Sequence, residues 1–347
     1  MGTVVPHAGA FRWPRRSGLV AGVVCVPVVV GAAVVNVLAA RVLGPAGRGE
    51  LAVAVQAAYL LTGMAVLGAA LAMDTAPARR LWRPVLAAGQ AVRPAHPEVF
   101  VHAMGAAVLV LVGTTSLAVG TAGSATPFPR VSCLALASLL AVCLVLVARP
   151  GGGWSAPRWR VAPAAVATVA LLRVDRVLIP WLSSMGELGR YAAVVTMTEV
   201  LYWPVLHYVD ANAPRWRTAR PLRPGLVLAG ASAYLVVSGV ALVVLGRLVL
   251  VPLLGPEFAG ADALLVPLVV AACCYGFSRV WLALAAPAHA TGAVTSTEVT
   301  VGVATVVGCG LLVPASGAAG AALAAAVAYA LGAVVAVCGR ATPAGGY

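Results

Sequence analysis

Residues 225–246 read GLVLAGASAYLVVSGVALVVLG, twenty-two positions with no charged side chain among them. At 1.5 Å per residue a helix of this length covers a hydrocarbon core of about 30 Å, and the run lacks the strict alternation of a barrel strand. This stretch therefore predicts a membrane-spanning helix. Working outward, comparable runs fall at about 18–40, 51–73, 99–120, 131–148, 161–182, 191–211, 263–285, 291–313 and 318–338. The expectation is an all-α protein, a polytopic membrane bundle of about ten transmembrane helices.

Composition agrees with the runs. The 347 residues are 62% apolar and only 10% charged, against about 25% charge in a typical soluble domain. Such a chain lacks the polar surface to face water on all sides, so the bilayer is its first partner. The formal net charge is +13, and all of the 23 basic residues are arginine. They lie in short loops between apolar runs instead of on one basic face, which argues against a nucleic-acid partner. With the N-terminus in the cytoplasm, about 15 arginines fall on inner segments and about 5 on outer ones, the bias of the positive-inside rule. Both termini are then expected in the cytoplasm and the protein in the cytoplasmic membrane. The run 18–40 is too long for the apolar part of a signal peptide and is expected to stay as a helix.

Several function classes lose support at this stage. The seven cysteines all sit in apolar runs without a metal-ligand spacing, and the five histidines are scattered, so neither a metal nor another cofactor is expected. There is no Walker A loop, no HExxH and no GxSxG, so the chain is not expected to be an enzyme. The inner loop 74–98, with Arg79, Arg80 and Trp82, reads as a segment on the membrane surface.

The fifth run is the most informative for function. It carries Arg173, Asp175 and Arg176 inside apolar sequence. Each costs about 2.5–3.5 kcal/mol at a helix centre, against about 3–6 kcal/mol returned by the aliphatic residues of the whole span. These side chains must face the bundle, pair, or meet water. Measured from residues 182 and 191, Asp175, Arg176 and Glu199 share a depth of about 10–12 Å, so Glu199 is the expected partner of Arg176 or Arg173. Two readings stay open. Arg173 and Arg176, three residues apart on one helix face, could line a path and grip phosphate with their forks. Equally, the charges could be an ion-pair network that only joins two helices.

Other polar residues carry similar pairs of readings. Glu298, alone among small residues in the ninth run, is a candidate site for a coupling proton or sodium ion, as is Asp175; a hydrogen-bonded structural acid is the alternative. Arg279 and Asp210 lie near cytoplasmic ends and are expected to snorkel. Asn36 and Gln56 are expected to bond between helices. Arg41 and Arg48 sit at the outer mouth, either meeting head groups or solvated. Pro27, Pro180, Pro204 and Pro267 interrupt runs and permit bending.

A weak internal repeat relates Gly49-Glu50-Leu51-Ala52-Val53-Ala54-Val55 to Gly189-Arg190-Tyr191-Ala192-Ala193-Val194-Val195. In both places a long helix ends at the outer face and the chain re-enters as a similar helix. Two such lobes, 1–160 with about four helices and 161–347 with six, are a common carrier plan.

Four stretches, in order, resemble polysaccharide flippases of the multidrug/oligosaccharidyl-lipid/polysaccharide exporter superfamily. Ala40-Arg41-Val42-Leu43-Gly44-Pro45-Ala46-Gly47-Arg48-Gly49-Glu50-Leu51 is similar to that family's first outer loop. Leu172-Arg173-Val174-Asp175-Arg176-Val177-Leu178-Ile179, followed by Gly189-Arg190-Tyr191-Ala192, resembles the start of its second lobe. Leu253-Leu254-Gly255-Pro256-Glu257-Phe258 resembles a later outer loop, and Val313-Pro314 through Gly317-Ala318-Ala319-Gly320-Ala321-Ala322 the turn into the last helix pair. By that pattern the first lobe is short by about two helices. The resemblance implies a carrier that flips or exports a lipid-linked oligosaccharide or polysaccharide precursor of the polyprenyl-diphosphate type. A path along Arg173, Arg176, Asp175, Glu199 and Arg41 would serve such cargo, with glycan assembly proteins as possible partners. Two alternatives remain: a cation-coupled exporter of small molecules or drugs, and a non-transporting scaffold of a glycan assembly complex.

Overall fold

The computed structural model describes residues 33–53, 55–56, 173–218, 223–285 and 291–338. The expected spans at 99–120 and 131–148, the loop 74–98, Pro27, both termini, and most of the spans 18–40 and 51–73 lie outside them. So does most of the 1–160 lobe. Among the described residues there is helix and no strand. Helix α1 covers residues 33–53. Then come α2 (Val174–Leu182), α3 (Met185–Thr218), α4 (Pro224–Leu254), α5 (Leu265–Ala285) and α6 (Thr291–Cys338). Two short 3-10 turns, Pro256–Phe258 and Ala261–Leu264, join α4 to α5.

Sharp reversals shape these elements. In α1 the backbone of Gly44 has φ +64, a left-handed conformation. The Arg48 guanidinium hydrogen-bonds Asn36, twelve residues earlier. In a straight helix those positions stand about 18 Å apart, so the chain folds back on itself. The stretch α6 is likewise two helices, not one. Gly317 (φ 56, ψ −130) breaks it just after Pro314. Gly308 then faces Ala324, and Gly332 faces Val301, the register of an antiparallel hairpin. The two arms, 291–316 and 318–338, match the ninth and tenth expected spans.

Three expectations need correction. Helix α3 begins at Met185, not near 191, because Ser184 and Glu187 form the S-x-x-E start signal: the Ser184 hydroxyl accepts from the Glu187 amide at 3.2 Å. Arg190 is therefore helical, not in an outer loop. Helix α4 runs on to Leu254, so Arg247 is also within a helix. Within the described residues the helix expected at 161–182 starts only at Val174, with Arg173 before it in a non-helical conformation (φ −125, ψ 12).

By length and hydropathy three stretches could cross a membrane: Pro224–Leu254, Ala261–Leu284 and Ala293–Cys338, the last folded at Gly317. Helix α5 lies between α3, α4 and α6, while α2 packs on α6. Helix α4 leaves Val236, Val237, Val240, Val244, Leu245 and Leu248 exposed, a face fit for lipid tails. Helices surrounded by lipid gain little from burying more apolar surface, so close approach through small residues matters. Gly239 packs against Val269, Gly246 against Leu265 and Gly276 against Leu235.

The turns at Gly44, Ser183–Ser184, Pro256 and Gly317 gather at one end, the outer one in the orientation that the arginine bias favours. There the two copies of the internal repeat touch. A Cβ on Gly49 would strike the Met185 carbonyl, and one on Gly189 the Pro45 carbonyl. Each glycine thus meets the carbonyl four residues before its counterpart, so the contact is reciprocal.

Candidate functional site

Helix α2 brings Asp175 and Arg176 into the bundle through its first turn. Asp175 is engaged on both oxygens: Oδ1 accepts from the Arg176 amide at 2.8 Å, and Oδ2 accepts a short hydrogen bond from the Tyr191 hydroxyl. Asp175 and Tyr191 are level on the α2–α3 hairpin, and Tyr191 is fully buried. The carboxylate is thus fixed between a backbone donor and a phenol, the satisfaction that a buried charge requires.

Glu199 on α3 takes the arginines. Arg176 Nη2 makes a short ion pair with Glu199 Oε1, and Arg173 Nη1 stands 3.6 Å from the same oxygen. The expected partner is correct, but the level is not. Since α3 starts at Met185, Glu199 is about 21 Å along the helix, and the arginine side chains reach inward to it. The Arg side chain can do so because its long stem places the fork several ångströms from Cα.

The first half contributes a third arginine. Arg48 is buried, donating to Asn36 Oδ1 from Nε at 3.2 Å and Nη2 at 2.8 Å. Asn36 in turn donates to the Ala193 carbonyl on α3 at 3.0 Å, bonding between helices as expected. Arg48 lies in the electric field of both Arg176 and Glu199. Three guanidinium groups and two carboxylates thus form one largely buried cluster with one net positive charge. The sequence placed Arg48 at the outer mouth, meeting head groups or solvated; the fold-back at Gly44 carries it inward instead.

A cavity of about 40 Å³ opens beside Asp175, Arg176 and Glu199, with Thr198 and the rings of Tyr202, Tyr275 and Tyr329 on its walls. It has room for about three or four waters at about 10–15 Å³ each, and too little for a sugar. Arg176 Nε has no hydrogen-bond partner among the described residues. The tyrosines pack edge to face, Tyr202 on Tyr275 at 4.9 Å and Tyr275 on Tyr329 at 5.5 Å between centroids. Sequence reasoning passed over these rings and Tyr191. The available signal was the phenols inside three of the apolar runs, 191–211, 263–285 and 318–338, since a hydroxyl at membrane depth needs a polar neighbour.

Two further site candidates sit elsewhere. Glu298 is not alone: its Oε1 accepts from Arg279 Nη1 at 3.0 Å, and the Arg279 guanidinium lies 5.8 Å over the Tyr275 ring. Arg279 therefore bridges α5 to α6 and does not simply snorkel. Arg41 is at the end where the turns gather, donating to the Leu253 carbonyl at 2.6 Å and to the Pro252 carbonyl. It does not join Arg173, Asp175, Arg176 and Glu199. The side chain of Asp210 lies outside the described residues. Gln56 is buried with no partner among the described residues. Among these residues no His, Cys, Asp and Glu group of three could hold a metal ion.

No family model matches the chain, and no curated protein matches it. Among solved structures, the fold is similar to that of the lipid II flippase MurJ in an inward closed conformation. The TM-score is 0.61 at 10% sequence identity, over 93% of this chain and 88% of that one. At that identity the likeness is one of fold, and with the apolar helices it makes this chain a polytopic helical membrane protein.

Proposed function

We propose that the chain is a carrier that flips a lipid-linked oligosaccharide or polysaccharide precursor across the cytoplasmic membrane. The observation that carries this reading is the set of buried Arg48 and Arg176 and half-buried Arg173 with Asp175 and Glu199, drawn from both halves of the chain. Its excess positive charge suits a diphosphate, whose oxygens accept the paired donors of a guanidinium fork. Binding would proceed by exchange, the phosphate replacing Glu199 on Arg173 and then on Arg176. The fold likeness to a flippase supports the same reading.

The small cavity fits a closed state of such a carrier, in which helices must part before a sugar enters. Asp175 and Glu298, the acids considered for a coupling proton or sodium ion, are held by Tyr191 and Arg279. A coupling cation would have to displace those partners. A second reading, a non-transporting scaffold of a glycan assembly complex, draws on the same pairs: an ion-pair network that only joins helices needs no ligand.

The test is outer-leaflet accumulation of a labelled lipid-linked sugar in cells with the protein, without it, and with Arg173→Gln/Arg176→Gln at equal membrane abundance. Loss of the charge-assisted contacts should lower accumulation by about tenfold or more. Full accumulation in the double variant removes the arginines from the path, and unchanged accumulation without the protein removes the flippase reading.

A further inference from the structure

We propose that Arg41 and Glu257 form a clasp on the outer rim that holds the two halves of the chain together, and that release of this clasp opens the outer mouth. The proposal rests on the carrier reading, since a scaffold has no mouth to open.

The clasp arises from how α4 ends. Its last residues, Pro252-Leu253-Leu254, run into Gly255-Pro256. The amide of Gly255 still bonds the Val251 carbonyl at 2.8 Å. Pro256 has no N–H, so the Pro252 carbonyl loses its donor four residues on. The Leu253 carbonyl is one of the last-turn acceptors that a helix leaves open. No basic residue stands in the last turn of α4 to meet them. Arg41 does so from more than 200 positions away, with Nε on Leu253 and Nη2 on Pro252. One planar fork thereby covers two adjacent carbonyls at the negative end of the helix dipole.

The return contact comes from the other half. Glu257, in the turn after α4, lies against the Gly44 fold-back: a Cβ on Gly44 would stand 2.7 Å from its Oε2. Each half thus reaches onto the turn of the other. Below the clasp lie the reciprocal Gly49–Gly189 approach and the bond from Asn36 to the Ala193 carbonyl. Separation of α1 from α3 at those points requires Arg41 to leave α4. Arg41 and Glu257 are exposed at the rim, so water can replace each contact at small cost. A latch that must open repeatedly needs that property, and a buried ion pair lacks it.

The experiment uses the full chain with its cysteines replaced by alanine or serine and Ala193→Cys introduced under the clasp. A membrane-impermeant maleimide is applied outside intact cells, and the labelling rate is read at equal membrane abundance. With the clasp intact, labelling should be slow. Arg41→Gln and, separately, Glu257→Ala, which removes the side chain against Gly44, should each raise it, Arg41→Gln by up to about tenfold for one charge-assisted contact. Arg41→Lys keeps a cation at the helix end without the fork and should fall between. Unchanged labelling in Arg41→Gln or in Glu257→Ala overturns the clasp, and so does a rate in Arg41→Lys equal to that in Arg41→Gln. Labelling needs no cargo, so a clasp that responds while sugar accumulation ignores loss of the protein would refute the flippase reading alone.

Discussion

Glu199→Gln should be the most damaging isosteric change in the second half. Glu199 holds Arg176 in a short ion pair and Arg173 at 3.6 Å, with side-chain exposures of 14%, 11% and 22% for Glu199, Arg176 and Arg173. The amide keeps the shape and removes the charge. Arg48, Arg173 and Arg176 would then face only Asp175, which Tyr191 and the Arg176 amide already engage. Breaking a buried pair by changing one partner costs about 3–5 kcal/mol. The exposed edge at Arg173 puts the expectation at the lower end, about 3 kcal/mol. For a chain of this size that lowers the unfolding midpoint of the detergent-purified protein by roughly 4 °C. Arg173→Gln, which removes the longer and more exposed contact, should cost about 1 kcal/mol or less. Combining Glu199→Leu with Arg176→Met should recover most of the loss, because the desolvation of both charges disappears together. A midpoint in Glu199→Gln within about 1 °C of the parent would refute the argument that this carboxylate balances the arginines.

Three other outcomes follow from single contacts. Tyr191→Phe leaves Asp175 Oδ2 buried without its donor, so stability should fall by about 1–3 kcal/mol, read from the same midpoint. Gly317→Ala meets both a φ of 56 with ψ −130 and the Glu187 carboxylate, which accepts from the Ala318 amide at 2.9 Å. A loss of about 1–3 kcal/mol is expected, while Ala315→Gly, two residues away in the helix, should cost no more than about 1 kcal/mol. Gly49→Ala and Gly189→Ala each drive a methyl into a backbone carbonyl of the opposite hairpin, so each should cost about 1–3 kcal/mol. Midpoints equal to the parent's would remove the reciprocal contact.

Much of the architecture could be read from the residues because the bilayer imposes it. Hydrocarbon leaves the backbone only its own hydrogen bonds, so a run such as 225–246 is a helix whatever surrounds it. The same rule made the fifth run conspicuous: Arg173, Asp175 and Arg176 had to find partners, and Glu199 was the acid in reach. Helix ends were less legible. The S-x-x-E signal at Ser184 to Glu187 lay in the sequence and marks the true start of α3, but hydropathy weighs Glu187 and Arg190 as loop.

By itself, the sequence determined that this chain is helical, membrane-bound and burdened with intramembrane charge, since those properties depend on composition and local spacing. Tertiary structure alone decided which charges meet. Glu298 is paired because α5 packs along α6 and brings Arg279 to it, and Arg48 is buried because α1 folds back at Gly44. Arg41 caps a helix more than 200 residues away because Pro256 leaves that helix end open. Side-chain pairing across helices depends on rotation and depth to within a few ångströms, and an apolar run carries almost no information about either.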